Sequence, residues 1–511
     1  MSQETEKTGT PKPNQPTATP KKVAAPAPTS PKPTPKPPVS TTVKATPTAT
    51  SVRPTANRRV TPAGPKRGHG LEIALGIVLA CLVLGIIIVL VATSAGNSTK
   101  TQASATTSAA NVSNPLTPKN AATVQALVTA LGNGETIVTA APVAPTPTGA
   151  PANSLVDEQG QTWPVNGANP ARTRVSPTTL KFPMQKLWDN QVGGELQSSP
   201  AIANGLAYFG SSNGSFYAID IQTHQVKWQR QYGAAIAPSP AVAGGKVFFG
   251  TSAGYVYALD ALTGKEMWNF PTIEQVLSSP VVANGVVYIG SNLGVFWAID
   301  ANTGLKRWSA QIGNANGAGI NTSPAVSDGT VFFGSNNGVF YAFPTDNVTT
   351  STKPKWTVQL ADGKGILSSP AVSDGVVYFA SEGGKLYAYN VADGTKKWEA
   401  NLNGPSRSSP AVANGVVYIG SSDKKVYAFN TKDGSKKWEF ATGDAVFSSP
   451  VITNDTLLIG SNDTKLYALD LATGQEKWEF ATDDIIGSSP AVAGNRVYLT
   501  SFDGRLYAFG N

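Results

Sequence analysis

The sequence predicts an all-β fold: an eight-bladed β-propeller of four-stranded antiparallel blades, preceded by a disordered tail and one transmembrane helix. Three observations carry the propeller. A Ser-Ser-Pro signal or a near variant ends at Pro200, Pro240, Pro280, Pro324, Pro370, Pro410, Pro450 and Pro490, at intervals of 40 to 46 residues, the period range of solenoids and propellers. A tryptophan recurs once per unit, at Trp188, Trp228, Trp268, Trp308, Trp356, Trp398, Trp438 and Trp478. Each unit also breaks into four short β-branched or aromatic runs separated by turn pairs, with no stretch of helical spacing.

The unit 408–447 shows the pattern most clearly. Residues 408–413 form a short uncharged run that ends at the turn pair Asn414-Gly415. Residues 416–420 read VVYIG, apolar throughout, as a strand covered on both faces should be. A polar turn, a third run at 426–430 and the turn pair Asp433-Gly434 follow. The fourth run, 436–440, alternates charged and aromatic residues. One buried face and one charged face suit an outer edge that must not pair with other chains. The order from axis to rim is therefore the order in sequence.

The chain stops at Asn511, just after the third run of the last unit. A fourth-strand segment with Trp188, residues 185–190, precedes the first unit. It is expected to complete the eighth blade and close the ring, which removes an open sheet edge.

Ahead of the propeller the composition changes sharply. Residues 1–70 are rich in Pro, Thr and Lys, with twelve Lys or Arg against Glu4 and Glu6, a net of +10. The whole chain is +8, so everything after residue 70 nets −2. The tail has no apolar periodicity and reads as disordered. It lacks the interleaved aromatics or folded basic face of a nucleic-acid binder, so no nucleic-acid partner is expected.

Residues 73–92 carry no charged side chain, enough for one helical crossing of a bilayer, so the membrane helix is placed at 71–93. Basic groups concentrate before it, at Arg53, Arg58, Arg59, Lys66 and Arg67, whereas residues 94–113 hold only Lys100. The positive-inside rule then puts the tail in the cytoplasm and the propeller outside, on a single-pass anchor. A retained anchor is favoured over signal cleavage because the run continues well past Cys81. Cys81, the one cysteine, lies inside this run, so the exported part has no disulfide. Residues 94–160, mostly Ser, Thr, Ala and Pro, read as a flexible stalk, with a short helix expected over 120–131.

The repeat resembles the tryptophan-docking motif of the quinoprotein (PQQ) β-propeller family. Its carriers are Ala258-Leu259-Asp260, Thr263-Gly264 and Trp268, then Ala298-Ile299-Asp300, Thr303-Gly304 and Trp308, and Ala468-Leu469-Asp470, Thr473-Gly474 and Trp478. The lead-in with Trp163-Pro164, Asn169-Pro170-Ala171-Arg172-Thr173 and Ser176-Pro177 is similar to the opening of many such propellers. The resemblance covers residues 161–511. It implies that the eight tryptophans pack between neighbouring blades, against glycines in tight turns.

The family includes quinone-dependent dehydrogenases and a non-catalytic branch of BamB-like and sensor propellers. Its alcohol dehydrogenases are implied to use a disulfide of adjacent cysteines and long blade insertions; this chain has one cysteine and mostly 40-residue repeats. PQQ with calcium is therefore expected only under the dehydrogenase alternative, and otherwise no cofactor. Arg407 is the one basic residue that the sequence places near a channel mouth.

Catalytic pairs are hard to assemble. The histidines are His69, beside the apolar run, and His224, which stands where other units have a turn glycine and is expected to be solvated. Zinc sites and Ser-His or Cys-His nucleophile pairs need more. Symmetry breaks point instead to binding. The loop 313–321 is lengthened, and 344–354 replaces a turn in the fourth blade. The residues preceding each Pro signal ring one mouth, and Gln197, Leu277, Asn321, Leu367, Arg407 and Phe447 are the candidate ligand contacts there. The reading is a monomeric, membrane-anchored, extracytoplasmic scaffold or sensor for a protein, peptide or glycan, with a quinoprotein dehydrogenase as the alternative.

Overall fold

In the computed structural model, the backbone is described for residues 137–140, and the structure in full for 162–312, 318–346, 348 and 353–511. The tail, the apolar run at 73–92 and the helix expected at 120–131 lie outside these residues. Among the described residues no helix is long and apolar enough to cross a membrane.

Eight antiparallel sheets form; six have their strands purely in sequence order, and the third and eighth blades each take one outer strand from earlier in the chain. After β1 (Ile137–Ala140) and β2 (Gln185–Gln191), the first blade comprises β3 (Ala201–Ala203), β4 (Leu206–Gly210), β5 (Ser215–Asp220) and β6 (Val226–Gln231). The burial gradient follows the composition. β4 is buried at every residue, whereas β6 buries only Trp228. A strand between two others in a blade that is itself sandwiched has no polar surroundings, which is why this position reads as an unbroken apolar run.

The eighth blade is closed by β2, which pairs antiparallel with Arg505–Gly510; Trp188 lies opposite Ala508 and Gln191 opposite Arg505. The expected closure at 185–190 is present and extends one residue further. A register shift next to the tryptophan occurs in every blade but the fourth. Such a bulge re-aims a side chain, here turning the indole out of its own strand's alternation and towards the next blade.

Docking then follows a common geometry. A Cβ added at Gly264 would lie 2.5 Å from the Trp228 ring, and one at Gly474 2.6 Å from that of Trp438. Both glycines have positive φ, so glycine is required by conformation and by space. The indole N–H of Trp228, Trp268, Trp356, Trp398 and Trp438 donates to a backbone carbonyl of the next blade at 2.8–3.3 Å.

The remaining three differ. Trp308 is buried with its ring 6.1 Å from Phe343, beside the replaced turn. Trp478 faces the chain end, and Phe182 covers it at 6.2 Å. Trp188 meets His224, whose ring stacks on it at 4.6 Å. His224 is therefore half-buried packing at the closing seam, contrary to the solvated turn expected. It occupies the glycine position at φ 62°, and its backbone carbonyl accepts from Asn190 Nδ2 at 2.7 Å.

The stalk also differs from expectation. β1 adds a fifth strand to the rim of the third blade, with Ile137 opposite Gln311 and Ala140 opposite Trp308. Within the stretch expected to be a flexible stalk, residues 137–140 thus form a strand, because an open sheet edge offers them backbone partners that the local composition does not reveal.

Candidate functional site

The inner strands all run the same way along the axis, so the propeller has a mouth where they start and a mouth where they end. The sequence places the Pro signals at the first and the Asn-Gly or Asp-Gly turns at the second.

At the start of the inner strands lies a closed ring of serines. The backbone N–H of Ser199 donates to Ser239 Oγ, Ser239 to Ser279, Ser279 to Ser323, Ser323 to Ser369, Ser369 to Ser409, Ser409 to Ser449, Ser449 to Ser489 and Ser489 back to Ser199. All eight bonds are 2.8–3.1 Å. The short inner strands would otherwise leave buried donors without partners. The serine before each proline is thus a blade-to-blade clasp.

The other end of the channel is filled by the lead-in. Pro164, Pro170, Ala171, Thr173 and Arg174 each accept through their carbonyls from the middle residue of an inner strand or its equivalent: Val242, Val326, Val372, Val412 and Ile452. Trp163 exchanges two backbone bonds with Ile202. The segment therefore travels round the inside of the ring, satisfying inner edges as it goes. Ala168, Arg172 and Arg174 adopt positive φ to follow this curve.

Arg172 and Arg174 lie in the channel, each 1% exposed. The sequence placed no basic residue in the channel; the lead-in motif at 169–173, which contains Arg172 and ends one residue before Arg174, was the available signal. Arg172 donates to the carbonyls of Pro324 at 2.6 Å, Ser279 at 3.3 Å and Pro280 at 3.4 Å, and also to that of Asn166. Burial, and the charge of Arg174, push Arg172 down to about 9; burial alone does the same to Arg174. Both stay charged at neutral pH.

The first mouth presents the predicted contact ring. Gln197, Leu277, Asn321, Leu367, Arg407 and Phe447 each stand two residues before a clasp serine. Gln197, Leu277 and Arg407 are exposed, and Asn321, Leu367 and Phe447 are half-buried. The structure brings Arg407 and Phe447 together, the guanidinium carbon 5.7 Å from the ring centre. Arg407 also lies 3.6 Å from the Glu382 carboxylate. Beside it is an open depression of about 240 Å³, lined by Glu382, Gly383, Gly384, Asn401, Asn403, Gly404 and Pro405. Of the lengthened loop, Ala318 and Ile320 are buried, while 313–317 lie outside the described residues, as do most of 347–352.

The donor set fits a quinone with calcium poorly. Arg172 is engaged by the protein's own carbonyls, and Arg174 donates to Asn166 Oδ1 at 2.8 Å while its buried Nε has no partner among the described residues. Among the described residues, no three His, Cys, Asp or Glu side chains gather in a way that could hold a metal ion.

A ring clasped at one end, filled by its own lead-in at the other and offering an open rim defines a PQQ-like β-propeller. The family described as outer membrane protein assembly factor BamB matches residues 185–347 and again 346–511, and the chain belongs to it. Among solved structures, BamB from Moraxella catarrhalis is 22% identical, with a TM-score of 0.56 over 64% of this chain and 100% of that one. A europium-containing methanol dehydrogenase is 15% identical, with a TM-score of 0.62 over 70% of this chain and 99% of that one. The quinohemoprotein alcohol dehydrogenase from Comamonas testosteroni is 16% identical, with a TM-score of 0.60 over 69% and 81% of the two chains. These likenesses show the shared fold. No curated protein matches the chain.

Proposed function

We propose that this protein is a membrane-anchored, extracytoplasmic binding scaffold or sensor that captures a protein, peptide or cell-wall segment at the rim of its first mouth. The observation that carries this reading is the Arg407–Phe447 pair beside Glu382 and the adjoining depression. Arginine and aromatic side chains dominate interface energies, and here they sit on a rim built by rigid blades. The apolar run at 73–92 and the basic excess before it support the anchor and its orientation. The family's printed role, assembly of outer membrane proteins, supports a protein partner.

The dehydrogenase alternative is supported by the fold of the methanol and alcohol dehydrogenases. The engagement of Arg172 by backbone carbonyls and the single cysteine favour the scaffold. The test has two arms. Arg407→Glu with Phe447→Ser is expected to weaken partner capture from membrane and wall fractions by about tenfold, roughly 1.4 kcal/mol, with little change in melting temperature. Undiminished capture by a folded double variant would remove this site. Purified protein mixed with quinone and calcium is expected to show neither quinone absorbance nor added mass; retention of both would favour the dehydrogenase.

A further inference from the structure

A propeller exposes one sheet edge per blade, and seven of the eight outer edges here carry a recognisable guard. On the strand centred on the tryptophan, the next residues include Arg230 in blade one, Glu399, Glu439 and Glu479 in blades five to seven, and Asp189 in blade eight. In blade two Pro271 removes a donor, and in blade four the strand is only four residues long, Trp356–Gln359. Charges, prolines and shortness are the usual ways to keep an edge from pairing.

The third blade has charge only before its tryptophan, at Lys306 and Arg307, and none of these guards after it. After Trp308 its outer strand, Lys306–Gln311, continues with Ser309, Ala310 and Gln311 and then Ile312, without charge or proline. These four residues are buried, at 4%, 0%, 2% and 0% exposure, where the corresponding Glu439 and Glu479 positions are exposed. This is the edge that β1 occupies, antiparallel, over Trp308–Gln311, and β1 itself contributes to that burial. The exposed large hydrophobics among the described residues, including Leu262, Met267, Ile273 and Leu305, all fall at or before residue 305. Of these, Leu305 directly precedes this strand, and Leu262, Met267 and Ile273 belong to the neighbouring second blade or the loop after it.

We propose that the outer edge Lys306–Gln311 is a strand-docking site for an extended, uncharged, β-branched peptide of a partner protein, held in this chain by its own Ile137–Ala140. The two strands compete for the same backbone groups. Main-chain bonds supply the affinity in such strand addition, and side-chain pockets the selectivity. A tethered strand has the advantage of high effective concentration, so the site accepts a partner strand when that tethered one is withdrawn. This site stands apart from the mouth and does not depend on it.

The test uses the full chain carrying Val138→Pro with Thr139→Pro, and a synthetic peptide of residues 134–143. Neighbouring residues of a strand point their N–H groups to opposite sides, so one of the two prolines removes a bond to the blade whatever the register. Amide exchange across 306–312 is expected to rise at least tenfold in the variant, with blades five to seven unchanged. Added peptide should restore protection in the variant. Adding Ser309→Glu, which installs the guard of the other blades, should abolish that restoration. Unchanged exchange in the proline variant would overturn the proposal. So would faster exchange that the peptide does not reverse, or a loss of protection spread over all blades.

Discussion

The backbone N–H of Ser489 donates to Ser199 Oγ at 2.8 Å, joining residues 290 apart in sequence and closing an eightfold ring of like bonds. Each serine contributes an acceptor to one neighbour and a donor to the other, so no blade's inner edge stands alone. Two independent closures therefore lock the same seam: this clasp at the axis and β2 at the rim.

Removing one clasp should cost the penalty of a buried donor left without a partner, about 1–3 kcal/mol. Ser199→Ala is at the seam, and Ser369→Ala is far from it. Both lose a bond of 2.8–3.1 Å, so denaturant unfolding should give similar losses for the two. A much larger loss at Ser199 would mean that the seam is weaker than the other junctions.

Closure at the rim should be graded. A chain starting at residue 162 keeps the lead-in and β2, one starting at 185 keeps β2 alone, and one starting at 198 has neither. Melting temperatures are expected to fall in that order, with the last one prone to aggregate, because the strand Arg505–Gly510 then loses its antiparallel partner and becomes an open edge. Equal melting of all three would contradict both closures.

The seam also has an acid-sensitive component. Burial raises the Asp189 carboxyl, but Lys186 and Arg505, at 2.5 and 2.6 Å, outweigh it and hold the group below its ordinary value. A carboxylate with a depressed folded value adds stability above the unfolded value, near pH 4, and loses it as pH falls through the folded value. Asp189→Asn should thus cost up to about 1 kcal/mol at pH 7. The difference from the unsubstituted protein should shrink below about pH 4. A difference independent of pH would assign the effect to packing.

A further pair tests packing between blades. A Cβ on Gly420 would fall 2.4 Å from a Val446 methyl carbon, and the same approach recurs at Gly460 with Ile486. In blade five the equivalent positions hold Ala380 and Ser406, both fully buried, a smaller partner where the methyl is present. Gly420→Ala should cost about 1–3 kcal/mol through overpacking. Adding Val446→Ser should recover part of it, so that the double variant loses less than the two single losses combined. Strict additivity in unfolding experiments would show that the two side chains do not meet.

Much of this architecture was legible because a propeller repeats. Eight copies of one strand pattern average out local ambiguity, and the displaced copy around Trp188 announced where the ring closes. The meeting of Arg407 and Phe447 was legible in the same way: they hold equivalent places in successive units, so neighbouring units bring them together. Positions that break the repeat were read less well. His224 looked like a solvated turn because only the fold sets Trp188 against it.

The sequence by itself determined the blade count, the order of strands from axis to rim, the docking tryptophans and the strand that completes the eighth blade, since all of these follow from local patterning and its period. Only the tertiary structure decided what fills the channel and what covers the third blade's edge. Arg172 sits in the channel, and Ile137–Ala140 lies on the rim, where backbone groups far away in sequence offer them partners. A bond to a main-chain atom places almost no demand on the composition of the segment that offers it, so these contacts appear only when the chain is folded.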